Sequence, residues 1–217
     1  MTVAPSPAPF TRAMSWRARL LWMIVALLSV GIAAWSTRWF LNPPQSPEQA
    51  LGNPLGVPWL IVHIAGSVTA LALGSLQFVA RWRRRGRPHR WIGRVYVLGC
   101  LVGGGAGLIL AFGSSAGPIV GVGFGALAAL WIAVNLLGWR AAVQGRFDAH
   151  RRWMIRSWAL TLAAVTLRIY LPTAIALELP VLEAYRAIAW LCWVPNLLLA
   201  EVWLAARPTL IRPKASQ

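Results

Sequence analysis

Acidic side chains are scarce in this sequence. Asp and Glu together number five among 217 residues, so a metal site built from several carboxylates is not indicated. The sequence also lacks a glycine-rich nucleotide loop, an HExxH motif, and a Ser, His and Asp set at a readable spacing. A hydrolase or a nucleotide-dependent pump therefore finds no support, and enzyme activity in general is not favoured.

Cysteine and histidine are also few. Cys100 and Cys192 both fall inside apolar segments, which predicts two core residues rather than a disulfide or a CxxC site. The three histidines are His63, His89 and His150.

Apolar residues, by contrast, dominate the composition. The chain is 58% hydrophobic and 12% charged, with a mean hydropathy of +0.61, whereas soluble domains are about 45–50% apolar and about 25% charged. Fourteen Trp residues fit this picture, because Trp favours the headgroup level of a bilayer. The composition predicts an all-α polytopic membrane protein.

The net charge of +16 is distributed in clusters that lie between the apolar segments. These basic clusters occupy residues 12–19, 81–94, 140–156 and 207–214. Such a distribution is typical of topology signals and of contacts with anionic headgroups, and it argues against a nucleic-acid partner.

Six apolar segments are each near the length of about 20 residues that a membrane span requires. They cover residues 20–35, 58–80, 91–112, 119–139, 153–171 and 185–206. We expect the first to be a retained helix, with a cleaved signal peptide as the alternative. Pro172 should end the fifth helix and Pro195 should kink the sixth, freeing a carbonyl for Asn196 or a neighbour to satisfy.

The connecting segments complete the predicted organisation. Residues 38–57 should form an irregular external loop, 81–88 and 140–152 internal basic turns, and 113–118 and 174–183 external turns. Residues 1–16 are predicted to be a disordered cytoplasmic tail, 17–206 the six-helix domain and 207–217 a basic cytoplasmic tail.

The distribution of Lys and Arg also predicts the orientation. An even number of spans places both termini on one side. With the termini inside, 18 Lys and Arg lie internally and three (Arg38, Arg168 and Arg186) lie externally. We therefore expect a multi-pass protein of the inner (plasma) membrane with cytoplasmic N- and C-termini.

One basic motif occurs twice. Residues 89–94 read H-R-W-x-x-R, and residues 150–156 read the same with one extra Arg. Each copy opens a long apolar segment, which indicates a parallel internal repeat that relates helices two and three to helices four and five. Two interpretations of its histidines stay open. His89 and His150 cap helices or meet headgroups at the interface, or they are the two axial ligands of one haem b.

Two further polar groups are predicted. His63, Arg168 and Tyr170 lie near the external side, with Glu178 or Glu183 as the nearest partner of Arg168. They form either a buried structural pair or a functional site. Near the cytoplasmic side we expect a second cluster, interpreted either as a helix-tethering ion pair or as a proton relay. Its members are Gln77, Arg94, Arg156, Asn196 and Glu201.

These residues resemble the DUF2306 family of predicted bacterial membrane proteins. The resemblance covers roughly residues 57–205, and the two histidine junctions are its most specific parts. It rests on His63-x-x-Gly66, the LGSLQF stretch at 73–78, HRWIGRVY at 89–96, HRRWMIRS at 150–157, LRIYLP at 167–172, WVPN at 193–196 and Glu201. The family implies no established activity.

A looser similarity links the chain to cytochrome b561-like dihaem bundles, which use four ligand histidines. This chain has three, and the repeat counterpart of His63 falls near Phe124 and Gly125. A dihaem carrier is therefore not favoured, whereas one haem near the cytoplasmic face still fits the sequence.

Three functions remain open on the sequence alone. The first is an accessory membrane protein whose basic face engages anionic lipid or a protein partner, including a second copy of itself. The second is a redox protein that holds one haem b through His89 and His150. The third is a small-solute or proton carrier that uses His63 and Arg168 outside and Glu201 inside.

Overall fold

The computed structural model describes residues 15–43, 53, 55–78 and 86–206, and the regular structure in these ranges is helical. Most of the predicted tails, and residues 81–85 of the basic turn predicted at 81–88, lie outside the described residues. The α-helices are α1 (Trp16–Ser36), α2 (Arg38–Leu41), α3 (Gly56–Gly74), α4 (Arg87–Phe112), α5 (Pro118–Val143), α6 (Phe147–Thr161), α7 (Ala163–Ala176), α8 (Val181–Leu191) and α9 (Val194–Ala205). A 3₁₀ turn, Ser75–Phe78, extends α3.

These helices combine into six stretches that are long and apolar enough to cross a membrane, as the sequence predicts. The stretches are Trp16–Leu41, Gly56–Gln77, Arg87–Phe112, Pro118–Val143, Phe147–Ala176 and Val181–Ala205. The fifth combines α6 with α7, and the sixth combines α8 with α9. The all-α, six-span prediction is confirmed.

The second internal turn is much shorter than predicted. Instead of an irregular segment at 140–152, α5 continues to Val143 and α6 begins at Phe147. Arg and Ala are good helix formers, so a polar composition does not by itself end a helix. Gly145, at φ +70°, makes the turn. His150 consequently lies in the first turn of α6, just as His89 lies in the first turn of α4.

The two prolines behave differently from each other. Pro172 lies inside α7, which continues to Ala176, so the predicted helix end at Pro172 is wrong. The fifth span breaks ten residues earlier, at Leu162. Pro195 does accompany a break, because α8 ends at Leu191 and α9 begins at Val194.

Side chains bond to the backbone at this second break, although the acceptor is the Cys192 carbonyl rather than the Leu191 carbonyl that Pro195 frees. The Asn196 Nδ2 atom donates to the Cys192 carbonyl at 3.0 Å, and the Thr166 hydroxyl donates to the same oxygen. Because lipid supplies no hydrogen bonds, an interrupted membrane helix needs such internal partners.

The connections predicted to be external are more helical than expected. Residues 38–41 form α2, and α3 begins at Gly56, while most of the remaining 38–57 segment lies outside the described residues. The α7 helix ends with Glu178 in the left-handed region at φ 55°. Its N–H bonds to the Ile175 carbonyl, while the Leu179 N–H bonds to the Ala174 carbonyl. This pairing is a Schellman cap.

Glycines bring α3 and α4 into backbone contact. A Cβ atom built on Gly66 would lie 2.4 Å from the Gly103 nitrogen and 2.6 Å from the Gly99 oxygen. Gly107 accommodates the His63 ring, which would lie 3.0 Å from an added Cβ. The glycines of α4 that face α3 therefore allow close packing, as is usual in lipid. Gly105, on the same helix, faces nothing within 4 Å.

Gly66→Ala should destabilise the protein by about 1–3 kcal/mol, because the added methyl group would force two backbones apart. Gly105→Ala is the matched control and should change stability by less than about 0.5 kcal/mol. Thermal unfolding of both variants in detergent checks this expectation. Equal melting temperatures for Gly66→Ala and Gly105→Ala would contradict the described α3–α4 contact.

The core lies among α4, α5, α6 and α8. Its buried members include Tyr96, Trp131, Leu160 and both cysteines, and Cys100 and Cys192 are free thiols, as predicted. The α1 helix adds a smaller cluster in which Ala33 packs with Leu71 and Val165.

Candidate functional site

The two copies of the basic motif lie at the same end of the bundle. The α4 and α6 helices both start there, since α3 and α5 each return to that end through a short connection. The α9 helix finishes at this end too, because Glu201 and Leu204 contact residues of α6. We call it the basic end.

Each copy of the motif forms the same local structure. The Arg94 guanidinium carbon lies 4.9 Å from the Trp91 ring centroid, and that of Arg156 lies 4.7 Å from the Trp153 ring centroid. Residues three apart share a helix face, so the H-R-W-x-x-R spacing itself creates the contact. We call Trp91 with Arg94 the first Trp–Arg pair and Trp153 with Arg156 the second.

The first Trp–Arg pair borders an open cleft of about 150 Å³ on the outer face of α4. Arg87 and Arg90 complete its lining, so three guanidinium groups and one indole occupy positions i, i+3, i+4 and i+7 of a single helix face. Trp91 is 62% exposed. Within the described residues, no carboxylate forms a salt bridge with these three arginines. The cleft is thus bordered by three arginine side chains and is open to the exterior of the bundle.

The second Trp–Arg pair holds a carboxylate. Arg156 Nε lies 2.5 Å from Glu201 Oε1, and Arg156 Nη2 lies 2.8 Å from Glu201 Oε2, so the guanidinium binds both oxygens. Arg152 Nη1 also donates to the Leu204 carbonyl at 3.3 Å. These contacts fasten the end of α9 to α6, which matches the helix-tethering alternative for this pair.

The rest of the predicted cytoplasmic cluster does not join this ion pair. Arg94 stacks on Trp91, and Gln77 lies against Gly93 with its Nε2 atom buried and without a hydrogen-bond partner among the described residues. Asn196 lies at the α8–α9 break, where it contacts Cys192 and Thr166. The structure therefore divides the five predicted residues among separate surroundings.

His150 contacts the backbone of the neighbouring helix. Its Nδ1 atom lies 2.9 Å from the Gly138 carbonyl of α5, and an added Cβ on Gly138 would lie 2.9 Å from Met154 Sδ. The described residues contain no group of three or more His, Cys, Asp or Glu able to hold a metal ion. The geometry adds no support for a haem between His89 and His150, which stays a prediction from sequence.

The predicted external group is only partly assembled. His63 Nδ1 lies 2.8 Å from the Gly103 carbonyl of α4, and its Nε2 lies 3.4 Å from Ser67 Oγ. Arg168 donates from Nη2 to Ser36 Oγ at 3.0 Å and from Nη1 to the Ala164 carbonyl at 3.1 Å. The histidine and the arginine are therefore both held by neighbouring helices.

The predicted carboxylate partners of Arg168 are wrong. Glu183 pairs with Arg186 at 2.6 Å, and Glu178 is an exposed cap residue. Helical side chains point towards the N-terminus of their helix, so Arg168 reaches back to Ala164 and Ser36 rather than forward to the loop. Tyr170 is exposed on α7 and is not part of this contact.

A buried polar network is the main feature that sequence reasoning missed. Tyr96 of α4 places its hydroxyl 2.7 Å from Ser157 Oγ and 3.0 Å from Thr161 Oγ1, both on α6. Two α5 residues complete it: Trp131 Nε1 donates to Thr161 Oγ1 at 3.0 Å, and Ser157 Oγ donates to Asn135 Oδ1 at 3.0 Å. All five side chains are buried.

Counting hydrogens shows that this network is satisfied internally. Ser157 Oγ donates to Asn135, and Thr161 Oγ1 donates to the Ser157 carbonyl at 2.8 Å. The single Tyr96 hydroxyl hydrogen is therefore shared between the Ser157 and Thr161 oxygens, both of which lie within 3.0 Å. Asn135 Nδ2 donates to the Trp131 carbonyl at 2.8 Å. The sequence carried a signal for it, because Trp131 with Asn135 and Ser157 with Thr161 are both spaced i, i+4.

Tyr96→Phe should lower the free energy of unfolding by about 1 kcal/mol, because it removes the only hydrogen shared by Ser157 and Thr161 while keeping the ring. Tyr170→Phe is the control: its hydroxyl is outside the network, and stability should change by less than about 0.5 kcal/mol. Denaturant unfolding in mixed micelles measures both. A Tyr96→Phe variant as stable as Tyr170→Phe would argue against the described network.

Comparison with known protein families gives a match over most of the chain. A family described as "Predicted membrane protein (DUF2306)" matches residues 60–204, a range that includes both Trp–Arg pairs, Glu201 and the buried network. No curated protein and no solved structure matches the chain. The looser similarity to cytochrome b561-like bundles is therefore not supported by these comparisons.

Proposed function

We propose that this chain, which belongs to the DUF2306 family of predicted membrane proteins, is a non-catalytic integral membrane protein that binds anionic phospholipid headgroups at the first Trp–Arg pair. The observation that supports this most is the open cleft lined by Arg87, Arg90, Trp91 and Arg94, whose cations have no carboxylate partner among the described residues.

The chemistry of the cleft fits a phosphate group. A guanidinium offers parallel N–H donors that match two oxygens of one phosphate, and its charge is permanent. Arg90 and Arg94 are one turn apart, so both can reach one anion on the outer face of α4. Trp91 provides an apolar surface with a polar N–H, the combination that favours the headgroup level.

The length of α4 supports a position of the cleft among the headgroups. Its 26 residues span about 39 Å at 1.5 Å per residue, whereas the hydrocarbon core is about 30 Å thick. The surplus is about two turns of helix. Because Phe112 and its neighbours at the other end are apolar, the basic turns from Arg87 to Arg94 are the ones expected among the headgroups.

A solute or proton path receives less support from the described interior. Arg156 is neutralised by Glu201, Arg168 bonds to Ser36 and Ala164, and the five-residue network around Tyr96 is satisfied within itself. Groups that are already paired with one another are typical of helix-to-helix contacts rather than of a vacant binding site.

We further propose that the basic end faces the cytoplasm of a bacterial inner membrane, with both termini on that side. The concentration of Arg there follows the positive-inside pattern. The cytoplasmic leaflet carries the negative surface potential that attracts such clusters, at about 1 kcal/mol per basic residue near the surface.

Arg94→Gln should weaken the binding of phosphatidylglycerol about fivefold, which corresponds to about 1 kcal/mol for one lost cation. Arg90→Gln should act similarly. Native mass spectrometry of the detergent-solubilised protein, titrated with phosphatidylglycerol or phosphatidylcholine, measures this effect. Because exposed charges are screened, the preference for phosphatidylglycerol in nanodiscs should fall as salt is raised.

Arg186→Gln is the matched control, since it removes an arginine at the opposite end and should leave the lipid preference unchanged. Inorganic phosphate added at millimolar concentration distinguishes a lipid site from a site for free phosphate: it should not displace the lipid. Equal binding of the two phospholipids by the wild type, or equal loss in Arg94→Gln and Arg186→Gln, would contradict the proposal.

A further inference from the structure

We propose that the second Trp–Arg pair is an anion site of the same kind as the first and that the Glu201 carboxylate occupies it. The α9 helix is then a half-helix hinged at the α8–α9 break, and its movement brings Glu201 to Arg156 or takes it away. The inference rests on the proposed function of the first pair. It adds a second headgroup site and a regulatory element.

The equivalence of the two sites comes from their shared sequence and geometry. Both lie in the first turns of a helix at the basic end, and both stack an arginine on the tryptophan three residues earlier, at 4.9 and 4.7 Å. Both copies also place another arginine directly before the tryptophan, Arg90 in the first and Arg152 in the second. The two pairs differ in the group that the arginine binds, which is the Glu201 carboxylate in the second pair only.

Glu201 stands where an anionic ligand would stand. Its two oxygens meet Arg156 Nε at 2.5 Å and Nη2 at 2.8 Å, which is the two-point arrangement that a phosphate group also makes with a guanidinium. The first pair lacks such a carboxylate among the described residues. Comparison of the two copies therefore identifies Glu201 as the additional group, which occupies the anion position of the second pair.

The Glu201 contact is accessible to a competitor. The Arg156 side chain is 18% exposed and the Glu201 side chain is 43% exposed, so the ion pair is not sealed inside the bundle. A pair that reaches the surface gains little net stability, because both ions remain well solvated when separated. A phosphate on a neighbouring lipid can thus compete for Arg156.

The α8–α9 break supplies the freedom of movement. Residues 192 and 193 lie outside the helices, and Trp193 has φ −128° and ψ −32°. Pro195 has no N–H for the Leu191 carbonyl, so one helical hydrogen bond is already missing. Thr166 of α7 and Asn196, in the first turn of α9, both bond to the Cys192 carbonyl. These bonds lie at the break itself, so they hold the start of α9, and the proposed movement is that of its later turns.

Polar contacts hold α9 at both of its ends. Near Ala205 it packs against α6 through the buried Leu204 and is joined by the Arg156–Glu201 pair and by the bond from Arg152 to the Leu204 carbonyl. At its start, Asn196 donates to Thr166 Oγ1 of α7 at 3.3 Å. The other face of α9 presents the exposed apolar residues Leu198, Leu199 and Val202 to the surroundings. Bound lipid and a closed α9 then exclude each other at Arg156, so each weakens the other by the same factor.

Counting bound lipids tests this proposal. In native mass spectrometry with phosphatidylglycerol, the wild type should hold one preferred lipid and Glu201→Gln should hold two. Arg156→Gln combined with Glu201→Gln should return the count to one. Glu183→Gln, which removes the carboxylate of the external Arg186 pair, is the matched control and should keep the wild-type count.

The movement has its own measurement. Spin labels at Val143 and Ala205, both exposed at the basic end, should move apart when Glu201→Gln is introduced in the presence of phosphatidylglycerol, whereas the wild type should keep them close. Labels at Ile119 and Val181, at the opposite end, should keep their distance. A change at both ends would indicate tilting of the whole span and would overturn the hinge.

Two results separate this proposal from the previous one. If Glu201→Gln holds one preferred lipid and Arg94→Gln holds none, the first site stands and the second is overturned. If Arg94→Gln leaves the wild-type count unchanged, the proposed function of the first pair fails. The exchange Arg156→Glu with Glu201→Arg checks folding, because it restores an ion pair and should keep α9 closed.

Discussion

The constraint on which this structure depends is that lipid offers no hydrogen bonds, so each polar group within the spans needs a partner in the protein. The Tyr96 network ties α4, α5 and α6 together through five buried side chains. Thr166 and Asn196 meet the same need at the broken sixth span, and Ser36 meets it for Arg168. These pairings hold helices whose outer faces are equally apolar and would otherwise have little reason to associate in one arrangement.

Unlike these paired groups, the arginines at the first Trp–Arg pair have no carboxylate partner among the described residues. The same motif occurs twice and forms the same stack twice, yet one copy meets Glu201 and the other meets the exterior. Because the two copies form the same local structure, the carboxylate that binds one copy indicates that an anionic group suits the other. The proposed function and the proposed α9 hinge both follow from this comparison.

The sequence was sufficient for the architecture and for part of the site. Composition and segment lengths predicted six spans, and the Pro195 break followed from the chemistry of proline. Helix ends were harder: Arg and Ala continue a helix as readily as they form a turn, so α5 and α6 extend into the predicted 140–152 loop. The partner of Arg168 was wrong because proximity in sequence favoured Glu178, whereas the side chain points back towards Ser36, which is 132 residues away. The Tyr96 network was missed because the i, i+4 spacings of its members indicate shared helix faces but do not tell which helices those faces contact.

The most direct test of the central assignment is a crystal structure grown from a lipid mesophase doped with phosphatidylglycerol. Our account predicts a headgroup phosphate in the cleft of the first Trp–Arg pair, with phosphate oxygens about 2.7–2.9 Å from the Arg94 guanidinium nitrogens. A cleft without a phosphate, while phosphatidylglycerol is ordered elsewhere on the bundle, would contradict it.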